Sequence, residues 1–393
     1  MNDSDDYIEE NKSTLKYKET HNLPRYMQPR SLGKCFEADY QEPNTLNAKI
    51  VLCQNSQGSC NIFLTSCWAV SGFSSPPQPE YSDIHKKSKA LIGFPNMLNH
   101  FFSQNVLNLC SKTTISLMSP GYEHCILLTT EGKVLTWGFG GSGCLGHGSF
   151  ESLQSPKYVE ELLETTCLYV EAGGYHSSAI TKDKYLFTWG RNDFNQLGVS
   201  SLGLFKDSQG YVALCPQQIH YFDDILVKSV ACGEAHTLVL SESGLVYQFG
   251  WTAEDELGPN LSRSLLTSEI KAIKSLKSFN VSKISAGAFF SVCITSTGEL
   301  WSWGKGDEGQ LGLGKDTTLT HVPQAITTIE GAMHAVCGKN FCLCVDRTLK
   351  KWAWGRGTVG VFSADSGLET GSEVVCYSPV ELNSIDLVYK VLM

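Results

Sequence analysis

The chain is punctuated into short apolar runs instead of long amphipathic ones. Cys125-Ile126-Leu127-Leu128, then the polar interval Thr129-Thr130-Glu131-Gly132-Lys133, then Val134-Leu135-Thr136-Trp137 is typical of it. Two such runs rich in aliphatic and β-branched residues, flanking a glycine, predict a β-hairpin, because glycine takes positive φ without steric cost. Gly244 and Gly298 hold the place of Gly132 in two later hairpins, while Lys184 and Leu349 hold it in two others, where a different turn is expected. No 3.6-residue periodicity separates the hairpins, so the chain reads as all-β.

The hairpins belong to a repeat. Its first mark is Gly-x-x-His at Gly121/His124, Gly173/His176 and Gly233/His236, with phenylalanine replacing histidine at Gly287/Phe290 and Gly338/Phe341. Fourteen positions after the His or Phe comes a glycine preceded by an aromatic: Trp137-Gly138, Trp189-Gly190, Phe249-Gly250, Trp303-Gly304 and Trp354-Gly355. Eight positions further, four copies show Leu-Gly, at Gly146, Gly198, Gly258 and Gly312. A proline with an aliphatic residue three positions on closes four copies (Pro156/Val159, Pro216/Ile219, Pro323/Ile326, Pro379/Leu382) and is missing from the third. Pro95/Leu98, after Trp68-Ala69-Val70-Ser71-Gly72, marks a degenerate copy over about residues 49–109, ahead of five clear ones over about 110–390. Replacement of histidine by phenylalanine within one frame points to a space-filling role, with the imidazole adding a backbone hydrogen bond where present.

One hairpin cannot bury its own apolar face, so neighbouring copies must cover each other. Strand-only repeats of this length favour a radial β-propeller, with the aromatic before each glycine packed between blades. Residues 29–393 are expected to form one propeller, and residues 1–28 a mixed-charge tail.

Composition narrows the function. Hydrophobic residues make up 42% of the chain and charged residues 18%, enough apolar surface for a folded body. A net charge of −9 offers no general attraction for nucleic acid or an anionic membrane. The acidic start, Asp3, Asp5 and Asp6, lacks the pattern of an export signal, and no apolar run is long enough to span a bilayer, so an intracellular protein, cytoplasmic or nuclear, is expected. The 15 cysteines lie scattered in apolar strands and read as reduced core thiols; no Cys-x-x-Cys or His-x-x-x-His pair suggests a metal, and no cofactor motif occurs. No Gly-x-Ser-x-Gly elbow or phosphate loop is present, so no covalent catalysis is expected.

Gly-x-x-His, Trp-Gly and Leu-Gly at these spacings resemble the regulator of chromosome condensation repeat family, and Trp303-Gly304 through Gln310-Leu311-Gly312 is similar to its signature. The resemblance implies a seven-bladed propeller. Five clear copies and one degenerate copy leave a blade to be made by joining the last segment, Leu387 to Leu392, to strands from residues 29–48. Founding members are guanine nucleotide exchange factors for a small GTPase, with an exchange-active carboxylate just before a repeat histidine. That position holds Glu123, Tyr175, Ala235, Phe289 or Asn340 here, and Glu123 is its sole acid. As an exchange residue Glu123 would compete for the positive charge around the nucleotide phosphates; as an ordinary solvated loop residue it would do nothing of the kind, and the ordinary reading is preferred. The tryptophan motifs of the light-sensing branch are missing, since Tyr122, Gly174, Glu234, Ala288 and Lys339 follow the glycines. The ubiquitin-ligase and secreted branches are not expected for the chain as given.

The leading expectation is a non-catalytic, monomeric interaction propeller recognising a protein partner through one loop face, with nucleotide exchange on a small GTPase as the alternative. The expected contacts are Glu123, Tyr175, Glu234, Lys339 and Asn340 before the His/Phe position, and Arg191, Asp193, Asp307 and Glu308 after the aromatic-Gly pair.

Overall fold

A computed structural model describes residues 50–54, 60–64, 70–71, 115–201, 203–208, 210–253, 270–358 and 373–382. All strand pairing among them is antiparallel, and the regular structure is β apart from short 3-10 turns. Strands β1 (Ile50–Gln54), β2 (Cys60–Leu64) and β3 (Val70–Ser71) make a three-stranded sheet within the degenerate copy. The second sheet holds β4 (Ile115–Pro120), β5 (His124–Thr129), β6 (Val134–Gly138) and β7 (Leu153–Tyr158). The third holds β8 (Cys167–Ala172), β9 (His176–Thr181), β10 (Leu186–Arg191), β11 (Phe205–Lys206) and β12 (Tyr211–Gln218), with β12 paired to β10 and β11 added outside it.

The fourth sheet comprises β13 (Val227–Cys232), β14 (His236–Ser241), β15 (Val246–Gly250) and β16 (Lys271–Ala272). The fifth comprises β17 (Val281–Ala286), β18 (Phe290–Thr295), β19 (Leu300–Lys305) and β20 (Leu319–Ala325), and the sixth β21 (Ala332–Cys337), β22 (Phe341–Asp346), β23 (Lys351–Thr358) and β24 (Glu373–Glu381). The first strands of successive sheets, β4, β8, β13, β17 and β21, lie side by side in chain order. This is the blade arrangement of a β-propeller. The seventh blade, its closure by residues 29–48 and 387–392, and the tail 1–28 lie outside the described residues.

The repeat marks are the contacts between blades. Gly146, at φ +77°, leaves no room for a side chain: a Cβ there would stand 2.8 Å from the Trp189 Nε1 of the next sheet. Gly198 meets Phe249 and Gly312 meets Trp354 in the same way, at 2.8 and 2.9 Å. Each of these three Leu-Gly pairs therefore receives the aromatic of the following copy, and the Trp189 and Trp354 indoles donate to the Cys144 and Gln310 carbonyls at 2.8 and 2.9 Å. Both rings are fully buried, each worth roughly 2–3 kcal/mol of apolar burial. Four apolar layers result, one between each consecutive pair of the five larger sheets.

Pro156, Pro216, Pro323 and Pro379 stand on β7, β12, β20 and β24 at positions that no further described strand pairs with on the far side, where a missing N–H costs little. Their companions Val159, Ile219, Ile326 and Leu382 are buried, each donating its backbone N–H to the third strand. The copy without proline keeps this anchor, because Ile273 donates to the Val246 carbonyl at 2.9 Å.

Two expectations are corrected. The Lys184 and Leu349 turns do not differ from the glycine turns: their φ angles are +70° and +64°, against +79° at Gly132 and Gly244. The hairpin imposes the left-handed residue whatever the side chain. The repeat histidines, expected to bond to backbone, also bond across blades to side chains. His124 Nε2 lies 2.9 Å from Ser177 Oγ, His176 Nε2 lies 2.8 Å from Thr237 Oγ1, and His236 Nε2 lies 2.9 Å from Ser291 Oγ. Ser177 and Thr237 donate onward to the Cys144 and Gln196 carbonyls, at 2.9 and 2.7 Å. A hydroxyl has one proton, so it accepts from the ring, and Nε2 carries hydrogen on His124 and His176.

Candidate functional site

In each of the five larger sheets the loop after the first strand and the loop after the third emerge at one end, tied by a recurring backbone bond. The residue after the aromatic-Gly pair donates to the residue before the His/Phe: Phe139 to Glu123, Arg191 to Tyr175, Trp251 to Ala235, Lys305 to Phe289 and Arg356 to Asn340, at 2.8–3.0 Å. The backbone is uniform while each pair carries different chemistry.

Nearer the inner strands, a second set of bonds links neighbouring blades. Tyr122 donates to the Gly174 carbonyl at 3.4 Å, Gly174 to Gly233 at 2.9 Å, Glu234 to Ala288 at 3.0 Å and Ala288 to Lys339 at 3.0 Å. These bonds rim a small cavity walled by Gly121, Gly173, Gly233, Gly287 and Gly338. A Cβ at Gly121, Gly173 or Gly233 would run within 2.6 Å of the copy's own histidine ring and within 2.5 Å of the next glycine's carbonyl, so close approach explains the first glycine of the repeat.

Side chains from four blades converge on the rim. The Tyr122 hydroxyl donates to Glu234 Oε2, the Tyr175 ring meets the Tyr122 ring edge-on at 5.2 Å, and the Lys339 ammonium lies 5.1 Å from the centre of the Tyr122 ring. Gly174 makes the crossing possible, since a Cβ there would sit 3.1 Å from Glu234 Cγ and 3.3 Å from Tyr122 Cε2. Further out, Glu308 accepts from both Asn340 and Arg356 of the next blade, and Trp251 meets Phe289 edge-on at 5.1 Å.

The nine expected contact residues divide. Tyr175, Glu234 and Lys339 come together on the rim, Asn340 pairs with Glu308, and Glu123 and Asp307 are exposed nearby. Arg191 is corrected: its side chain is 0% exposed, held by Asp207 at 2.7 Å and Asp193 at 3.6 Å, and with Asp193 it supports the third sheet's loop from within. Glu234 is 5% exposed, and its carboxylate accepts from the Tyr122 hydroxyl. Tyr122, Trp251 and Arg356 are additions. The sequence signalled Tyr122 by placing it directly after a repeat glycine.

Burial holds His124 and His236 down to about 4 and His176 to about 3, so all three are neutral at ordinary pH. The ten described cysteines are free, and burial pushes the Cys167 thiol up to about 11, which leaves it a poor nucleophile. Among the described residues no group of three or more His, Cys, Asp or Glu side chains is placed to hold a metal ion, and no helix is long and apolar enough to cross a membrane.

A family model described as the RCC1-like domain matches residues 85–344. The human E3 ubiquitin-protein ligase HERC2 is 33% identical over 239 residues, 60% of this chain and 5% of that protein. The Ultraviolet-B receptor UVR8 of Arabidopsis thaliana is 32% identical over 248 residues, 63% of this chain and 54% of that one. The guanine nucleotide exchange factor SRM1 of Saccharomyces cerevisiae is 30% identical over 246 residues, 59% and 50% of the two chains. The chain thus spans about half of two of these relatives and a small part of the third. Among solved structures, Prp20p from Saccharomyces cerevisiae, described with its binding to Gsp1p and histones, superposes with a TM-score of 0.56 at 21% identity, covering 70% of this chain and 66% of its own. Human WBSCR16 gives the same TM-score, 0.56, at 24% identity, with 69% and 67% covered. The interlocked Leu-Gly and Trp-Gly contacts, the sheet order and these similarities agree: the chain is a β-propeller and belongs to the RCC1-like domain family.

Proposed function

We propose that this propeller is a protein-recognition module that binds its partner on the face made by the loops after the first and third strands. One observation carries the reading: on that face a recurring backbone bond between the two loops holds a different residue at each equivalent place, the exposed or half-exposed Glu123, Tyr175, Phe289 and Asn340 among them. A rigid frame with varied side chains provides specificity at little ordering cost. The test is affinity capture with the full chain, comparing Glu123→Lys/Asp307→Lys with Leu226→Arg/Leu349→Arg, which alters exposed residues away from these loops. Loss of the captured partner with the first pair alone supports the reading; equal capture by both counts against it.

A second reading, exchange of guanine nucleotide on a small GTPase, is favoured by Glu123, an exposed carboxylate beside the rim, and by the exchange factor among the relatives. Release of labelled GDP from a panel of small GTPases discriminates. Acceleration that disappears in Glu123→Gln selects exchange; none at micromolar protein removes it.

A further inference from the structure

We infer that the Tyr122 ring is a seat for a lysine or arginine side chain of the partner, occupied in the free protein by the chain's own Lys339; this rests on the loop-face reading and names the chemistry recognised there. The ring is fixed from several sides. Its hydroxyl donates to the Glu234 carboxylate from two blades away, Tyr175 packs against it edge to face, and Gly174 closes the gap beneath. The Lys339 ammonium lies 5.1 Å from the ring centre.

A phenol that donates to a carboxylate gains electron density in its ring, and a denser ring attracts a cation more strongly. The geometry thus builds the ring's affinity for positive charge through a buried acid that never has to touch the cation. Lys339 arrives from the sixth sheet on a flexible stem and stays half-buried, so its ammonium can leave for water. Charge around the seat favours a basic visitor: Glu123 is exposed next to Tyr122, Asp307 is exposed on the fifth sheet, and the whole chain carries −9. Lys339 then acts as a built-in competitor, which a partner's basic segment must displace.

Removing the competitor strengthens binding, an outcome that a misfolded variant cannot imitate. The full chain and its Lys339→Ala variant are titrated with a blocked peptide carrying four lysines, with the same peptide acetylated on every lysine, and with a peptide carrying four glutamates. The Tyr122 and Tyr175 ring resonances report binding. The lysine peptide is expected to bind Lys339→Ala about fivefold more tightly than the unaltered chain, the fold-change of an ordinary cation–π contact. The acetylated peptide should move neither ring, and Lys339→Ala/Tyr122→Leu should lose the gain while melting as one cooperative unit. Equal affinity in both chains, a response to the acetylated peptide, or preference for the glutamate peptide overturns the seat. Partner capture that still depends on Glu123 and Asp307 would leave the loop-face reading standing.

Discussion

His176 Nε2 stands 2.8 Å from Thr237 Oγ1 of the next blade, and Thr237 passes its own proton to the Gln196 carbonyl at 2.7 Å. The residue after each His or Phe is the receiver for the preceding copy. Ser177, Thr237 and Ser291 follow copies that hold histidine, whereas Cys342 follows the copy that holds Phe290. A ring that donates meets a hydroxyl, and a ring that cannot donate meets a thiol, a small hydrophobe.

This pairing predicts a coupled pair of substitutions. His176→Phe alone should lower unfolding free energy by about 1–3 kcal/mol, through a lost buried hydrogen bond and a changed fit. His176→Phe/Thr237→Cys, which copies the Phe290 and Cys342 arrangement, should recover part of that loss, with an interaction energy of at least about 0.5 kcal/mol in a denaturant double-mutant cycle. Strict additivity would show that the pairing across copies has no energetic content.

The same histidines set an acid limit. Their folded pKa values, about 4, 3 and 4, lie below the unfolded value of 6.5, so between these limits the unfolded chain binds the extra protons and stability falls as pH falls. Above the unfolded value they are neutral in both states and contribute no slope. At pH 5 each costs roughly 2 kcal/mol relative to pH 8. Urea midpoints at pH 7.5 and 5.0 measure this, and His236→Phe should shrink the difference by about one histidine's share; an unchanged difference contradicts the burial argument.

At Leu349 the hairpin holds an exposed leucine at φ +64°, where glycine is unstrained. Leu349→Gly is expected to raise stability by up to about 1 kcal/mol, since relief of strain outweighs the added chain entropy. The reverse change, Gly298→Ala, should destabilise, because its Cβ would stand 2.9 Å from Gly331 Cα at φ +92°. Thermal melts of the two variants should therefore move in opposite directions.

What was legible in the sequence follows from where each constraint acts. The spacing of Gly121, His124, Gly138 and Gly146 shows through because each glycine is a place where backbone or ring approaches too closely for a Cβ, and sterics of that kind leave the same residue in copy after copy. Contacts that join different copies were hidden. The hydroxyl that receives His176 stands at Thr237, and only a comparison of each copy with its successor reveals it. Arg191 looked like a surface charge because its main partner, Asp207, lies 16 residues on, beyond the repeat frame. The rim is half legible: Tyr175, Glu234 and Lys339 stand out as unmatched residues, whereas nothing in the sequence marks Tyr122, one position after Gly121, as the residue that joins all three.

The central claim is that recognition occurs on the face of the first-strand and third-strand loops, and amide hydrogen exchange of the full chain with and without its captured partner tests it most directly. The account predicts new protection in peptides covering residues 121–123, 173–175, 234–235, 288–289 and 339–340, with the hairpin turns at Gly132, Lys184, Gly244, Gly298 and Leu349 unchanged. Protection confined to those turns, with the loop peptides exchanging as in the free chain, would contradict it.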